Sequence, residues 1–151
     1  MATYPLRAGF GKSEIRLSDR LFPLEGFRGI HDLPCARVMV LQSGAETMAI
    51  ASLEMVNVPP QGIELCQRII GEQTGTPRER MWIHVTHAIS TPHEPGPGEP
   101  PEKRALFFQA IGDAVTEAAG QAAASLTEAR IGWGTGRCDA NVNRDVETPF
   151  G

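Results

Sequence analysis

Three of the four histidines, His84, His87 and His93, span ten positions around the end of one short apolar run. Imidazole titrates near neutral pH and is the commonest metal ligand, so this density points to metal binding or acid–base chemistry. The run Arg80-Met-Trp-Ile-His-Val-Thr-His87 is rich in β-branched and aromatic residues and reads as a strand. Side chains alternate along a strand, so His84 and His87, three apart, are expected on opposite faces and cannot both ligate one metal unless the strand bends. His87 is the metal candidate of the pair. It stands where the strand yields to a loop, at the carboxyl edge where open α/β sheets hold ligands. His84 reads as a packed, hydrogen-bonded histidine beside Trp82, and His93 as a solvated loop residue. A catalytic zinc takes three protein ligands and a water, so one histidine is not a site by itself. His31-Asp32 is a second feature, in a loop, and adjacency alone does not make it a dyad. Ser13, Ser52 and Ser90 lack the Gly-x-Ser-x-Gly setting of an activated nucleophile, and no phosphate-cradling P-loop is present. Gly132-x-Gly134-x-Gly136 has no helix signalled behind it and does not make a dinucleotide loop.

The elements that must position these residues follow from periodicity. Ala8 to Leu17 alternates loosely and predicts a first strand, followed by a loop over 18–34. Two further strands, Cys35 to Gln42 and Thr47 to Met55, are joined by Ser43-Gly44-Ala45-Glu46 and should pair antiparallel as a hairpin. After Pro59-Pro60, the apolar residues Ile63, Cys66, Ile69 and Ile70 share one helical face, and Gly75 is placed to end that helix, so the spacing predicts a helix over 60–74. With the His84 strand behind it, this makes a βαβ unit with parallel pairing. A long helix starts at Pro101, with Glu102 at its amino end and a stripe of Leu106, Phe107, Ala110, Ile111, Ala114, Val115, Ala118 and Ala122. Ala129 to Arg137 reads as a glycine-broken strand. The expected fold is therefore α/β: a mixed sheet with an antiparallel hairpin and βαβ units, and helices packed on the sheet.

Between the His84 strand and the long helix, Thr91 to Pro101 holds five prolines and two glycines in eleven residues, which excludes regular structure. It reads as a stiff wall over a site, as a surface connector, or as a peptide display carrying Pro92-x-x-Pro95 and Pro97-x-x-Pro100. The composition excludes other classes of function. With 151 residues, 41% hydrophobic and 21% charged, the chain suits one folded domain. A net charge of −4 leaves no global positive field for phosphate backbones, so nucleic acid is not an expected partner. No apolar run reaches the length of a membrane span, and the amino end lacks the pattern of a signal peptide. Cys35, Cys66 and Cys138 are odd in number and widely spaced; they read as reduced, buried thiols and suggest a cytoplasmic location.

Several stretches agree, in order, with one family. They are Ala8-Gly-Phe-Gly-Lys-Ser-Glu-Ile15; Gly29-Ile30-His31-Asp32 leading to Ala36-Arg-Val-Met-Val-Leu41; the strand Ala49-Ile-Ala-Ser-Leu-Glu54, ending in an acid; Trp82-Ile-His-Val-Thr86-His87-Ala-Ile-Ser90-Thr-Pro92; and Ala140-Asn-Val-Asn143-Arg144. Together they resemble the first part of the catalytic domain of the neutral/alkaline, non-lysosomal ceramidases. Members of that family are zinc amidohydrolases that split ceramide into a fatty acid and sphingosine. The resemblance implies zinc as cofactor and His87 as its ligand, His31 and Arg144 as groups that stabilise the oxyanion or position the carbonyl, and Ser90 and Asn143 on the substrate. It also implies that residues 1–151 form a single α/β unit, the amino-terminal portion of a longer catalytic domain, because the family's other zinc ligands come later in the chain. Ile89 stands where the family motif has its second histidine. The expected substrate is a small amide or a lipid-like one, with association possible through an exposed sheet edge. The competing expectation is a non-catalytic binding module on the same scaffold.

Overall fold

Alternating burial builds the sheet. In the computed structural model, which describes residues 4–140, β1 (Leu6–Glu14), β2 (Cys35–Ser43) and β3 (Glu46–Leu53) form an antiparallel meander. The β2–β3 turn is closed by two residues, Gly44 and Ala45, and Gly44 takes the positive φ that such a tight hairpin needs. Helix α1 (Pro60–Thr74) crosses over to β4 (Met81–Val85), which pairs parallel to β3. Helix α2 (Pro101–Ala124) then returns across the sheet to β5 (Thr127–Glu128) at the far edge. The strand order is β4-β3-β2-β1-β5. This is the α/β architecture expected from the sequence, with one βαβ unit.

Both helices cover one face. Ala36, Val38 and Val40 of β2 and Ala49, Ala51 and Leu53 of β3 are buried there with Cys66 and Ile70 of α1 and Phe107, Ile111, Ala114 and Val115 of α2. The stripe predicted on α2 is buried as expected, apart from the half-buried Leu106, and Ala119 and Gly112 join it. The opposite face carries a row in strict register, Phe10–Met39–Ile50–Trp82, that no helix covers among the described residues; Phe10 is 64% and Trp82 62% exposed. Among the described residues no helix is long and apolar enough to cross a membrane.

Helix α1 has the predicted bounds, and Gly75 ends it with φ +69° and an N–H donated to the Gly71 carbonyl. Two strand expectations need correction. The first strand runs Leu6–Glu14 rather than to Leu17, because the Ile15 N–H leaves the ladder and donates to the Pro34 carbonyl at 2.7 Å. The strand expected over 129–137 is absent, and only Thr127–Glu128 pairs with β1. The antiparallel register carries any residue after Ala129 past Leu6, where β1 begins and Pro5 before it offers no N–H. Cys35 and Cys66 are buried free thiols, as expected, whereas Cys138 is exposed. Burial pushes the Cys66 thiol up to about 12, which leaves it inert.

Candidate functional site

Because β3 and β4 are parallel, the loops that follow them leave from the same edge, and the antiparallel β2 begins there too. These loops enclose a cavity of about 520 Å³. Phe22, Phe27, Ile30 and Leu33, from the segment leading into β2, supply apolar wall, and Glu54, Thr86 and Ser90 supply polar groups. An apolar cleft with a few polar groups is the usual form of a small-molecule site.

Glu54 stands at the carboxyl end of β3. Its Oε2 accepts the Cys35 N–H at 2.8 Å and its Oε1 accepts from Arg37 at 2.5 Å, so one carboxylate joins the end of β3 to the start of β2. Burial acts to raise this carboxyl, but the hydrogen bonds from Arg37 and the Cys35 amide outweigh it and hold its pKa below the ordinary value.

The segment after β4 is sewn to the one after β3. Thr86 N–H donates to the Leu53 carbonyl at 2.9 Å, and Ala88 N–H to that of Met55 at 3.2 Å. Thr91, at the start of the proline loop, is buried; its hydroxyl accepts the Val56 N–H at 2.8 Å and donates to the Ala88 carbonyl at 2.9 Å. Valine has the same shape without the oxygen, so Thr91→Val leaves the buried Val56 N–H unpaired. Urea unfolding should register a loss of about 1–3 kcal/mol, the cost of such an orphan; an unchanged midpoint would mean that water replaces the hydroxyl.

The predicted site residues separate. His31 and Ser90 meet at the cavity, His31 at its mouth with Nδ1 3.2 Å from Asp32 Oδ2 and both side chains almost wholly exposed. The adjacent pair does approach, but in solvent, where such a contact contributes little. His87 lies between the lining residues Thr86 and Ala88 without being part of the wall. Its φ of +57° ends the strand alternation, so the parity expected between His84 and His87 does not extend to it. His87 Nδ1 is 2.8 Å from the Val56 carbonyl oxygen. A carbonyl only accepts, so Nδ1 carries the proton and, in the neutral ring, Nε2 keeps its lone pair.

His84 is not packed. It lies on the open sheet face, edge-on to Trp82 with ring centroids 6.4 Å apart, and both are exposed. Asn143 and Arg144 fall outside the described residues. The proline loop serves as a wall only at its start, where Thr91 and Pro92 line the cavity. The sequence reading gave no site role to Glu54 or Thr86. The one signal for Glu54 was its place, an acid directly after an apolar strand that faces a loop-rich edge.

No family model matches the sequence, and no curated protein matches it either. Among solved structures, a ceramidase complexed with C2 superposes with a TM-score of 0.61 at 18% identity, over 83% of this chain and 22% of the ceramidase chain. This chain thus corresponds to a minor part of that longer protein, and what the likeness shows is the fold, which is ceramidase-like.

Proposed function

We propose that this chain is the amino-terminal portion of a zinc-dependent amide hydrolase, contributing one metal ligand and one side of the substrate cleft. The observation that carries the reading is the state of His87. A zinc-binding histidine typically donates its second ring N–H to a carbonyl or carboxylate, which fixes the tautomer and aims the free nitrogen. His87 has that arrangement with Val56, beside the cavity at the carboxyl end of the parallel pair.

Fit to the metal is partial. Among the described residues no group of three His, Cys, Asp or Glu side chains could hold a metal ion, so His87 would be one ligand and the others would come from beyond these residues. Bound zinc would polarise an amide carbonyl and acidify a water. The chain's own residues bind and orient. The walls from Phe22 to Leu33 take the apolar part of a ceramide-like or smaller amide, and Ser90 and Thr86 offer hydroxyls to its polar part. The carboxylate of Glu54 keeps the β2 entry in place, and both its oxygens are engaged, which unsuits it as a general base. His31 at the mouth, with Arg144 and Asn143, would complete the polar contacts to the carbonyl.

The test is metal content. Zinc measured on the purified full-length hydrolase, which carries the remaining ligands, should be stoichiometric in the wild type and lost in His87→Ala, together with hydrolysis of a fluorogenic N-acyl amide. Zinc retained by the variant would remove His87 from the site. The second reading, a binding module on the same scaffold, is favoured by the lack of a three-ligand cluster among the described residues, and full-length wild-type protein that holds no zinc and turns over no amide would select it.

A further inference from the structure

Two segments line the cavity, and one carboxylate ties them together. Glu25 sits in a tight turn in which Leu24 and Phe27 exchange backbone hydrogen bonds, at 3.1 and 2.9 Å. Glu25 and Gly26 have φ of +49° and +85°, the pair of left-handed residues that such a turn demands. Glycine, asparagine and aspartate occupy the first of these positions readily; glutamate does not, and a residue held there against preference invites a functional explanation.

The length of the glutamate supplies one. Glu25 Oε2 accepts two hydrogen bonds from His93, from its backbone N–H at 2.8 Å and from its Nδ1 at 3.0 Å. Asparagine and aspartate, which the turn would favour, are a methylene shorter. The His93 amide, then its ring, hold the Glu25 carboxyl below the ordinary carboxylate range. Both ends of the tie adjoin the cavity: Phe22 and Phe27 flank Glu25 and line one wall, and Thr91 and Pro92 precede His93 and line the other. A second tie runs nearby, with Lys103 Nζ donating to the Pro23 carbonyl and to Glu99, each at 2.8 Å.

We propose that Glu25 is a positioning residue, kept in a strained turn because its carboxylate pins His93 and so sets the separation of the two cavity walls. The proposal rests on reading that cavity as the substrate cleft. A residue kept only for stability would not be one whose replacement by glycine relieves the backbone.

Amide hydrogen exchange at His93, read by NMR, tests this without any substrate. Glu25→Gly should speed that exchange about tenfold or more, the loss of a hydrogen bond to a charged group, while Tm stays level or rises. Glu25→Gln, which keeps the length and an acceptor oxygen, should restore most of the protection. Unchanged exchange in the glycine variant overturns the tie. A lowered Tm with faster exchange throughout the chain overturns the positioning role and makes Glu25 a stability residue. In protein active on the N-acyl amide, the glycine variant should raise KM more than it lowers kcat. If the full-length protein turns over no amide, the hydrolase reading fails while the exchange result still decides the tie.

Discussion

Gly11→Ala should destabilise the protein by about 3 kcal/mol or more, at the upper end of what overpacking costs. Gly11 and Gly9 lie on the face of β1 that α2 crosses. A Cβ at Gly11 would stand 1.9 Å from the Ala118 carbonyl oxygen, and one at Gly9 would stand 2.0 Å from that of Ala122. Both obstacles are helix backbone, so no rotamer change relieves them, and α2 must move off the sheet. Moving it opens the layer that contains Ala114, Val115 and Ala118. Because a domain of this size is stable by only about 5–15 kcal/mol, the Gly9→Ala/Gly11→Ala double variant should fail to fold. Urea unfolding monitored by circular dichroism measures the single variant. Gly29→Ala, where nothing lies within 4 Å of the added carbon, is the control and should stay within about 0.5 kcal/mol of wild type. A Gly11 variant indistinguishable from that control would show that α2 does not approach β1 closely in solution.

The other large effect is expected at Phe107. Its side chain is fully buried in the first turns of α2 and packs edge to face on Phe108, with centroids 5.7 Å apart. Truncation to alanine loses the buried ring and leaves a cavity, which costs about 3–5 kcal/mol. The damage should extend to the site. Lys103 and Arg104, on the same end of α2, anchor Pro23, Glu99 and Glu94, so loosening that end frees the loop whose start forms the cavity wall. Phe107→Leu, which keeps most of the volume, should cost less than half as much. Equal losses for the two variants in calorimetry would mean that ring shape rather than volume governs the position.

Much of the scaffold was legible because it depends on local period and punctuation. Ile63, Cys66, Ile69 and Ile70 can share a face only in a helix, and a glycine after Thr74 can end it in the left-handed conformation. The same logic read the long stripe on α2 and the alternating β2 and β3. It failed at Ala129 to Arg137. Apolar residues between glycines look like a broken strand, but a strand exists only where a neighbour offers a ladder, and the register has by then run past the start of β1. It failed at His84 as well, since alternation assigns residues to faces without saying which face a helix will cover; Trp82 and His84 lie on the open one.

The site divides along the same line. Sequence by itself determined the α/β class, the βαβ unit that brings two strand ends to one edge, and the place of His87 at the end of β4. Those properties reside in residues close together in the chain, where pattern and stereochemistry act directly. Tertiary structure alone decided that Glu54 bonds Cys35 and Arg37, that His87 turns its Nδ1 to the carbonyl of Val56, and that Glu25 reaches His93 across 68 residues. Each is a hydrogen bond between segments far apart in sequence. Its partner is chosen by which loops the sheet order brings to the same edge, and that choice follows from packing the whole chain at once, which no local pattern records.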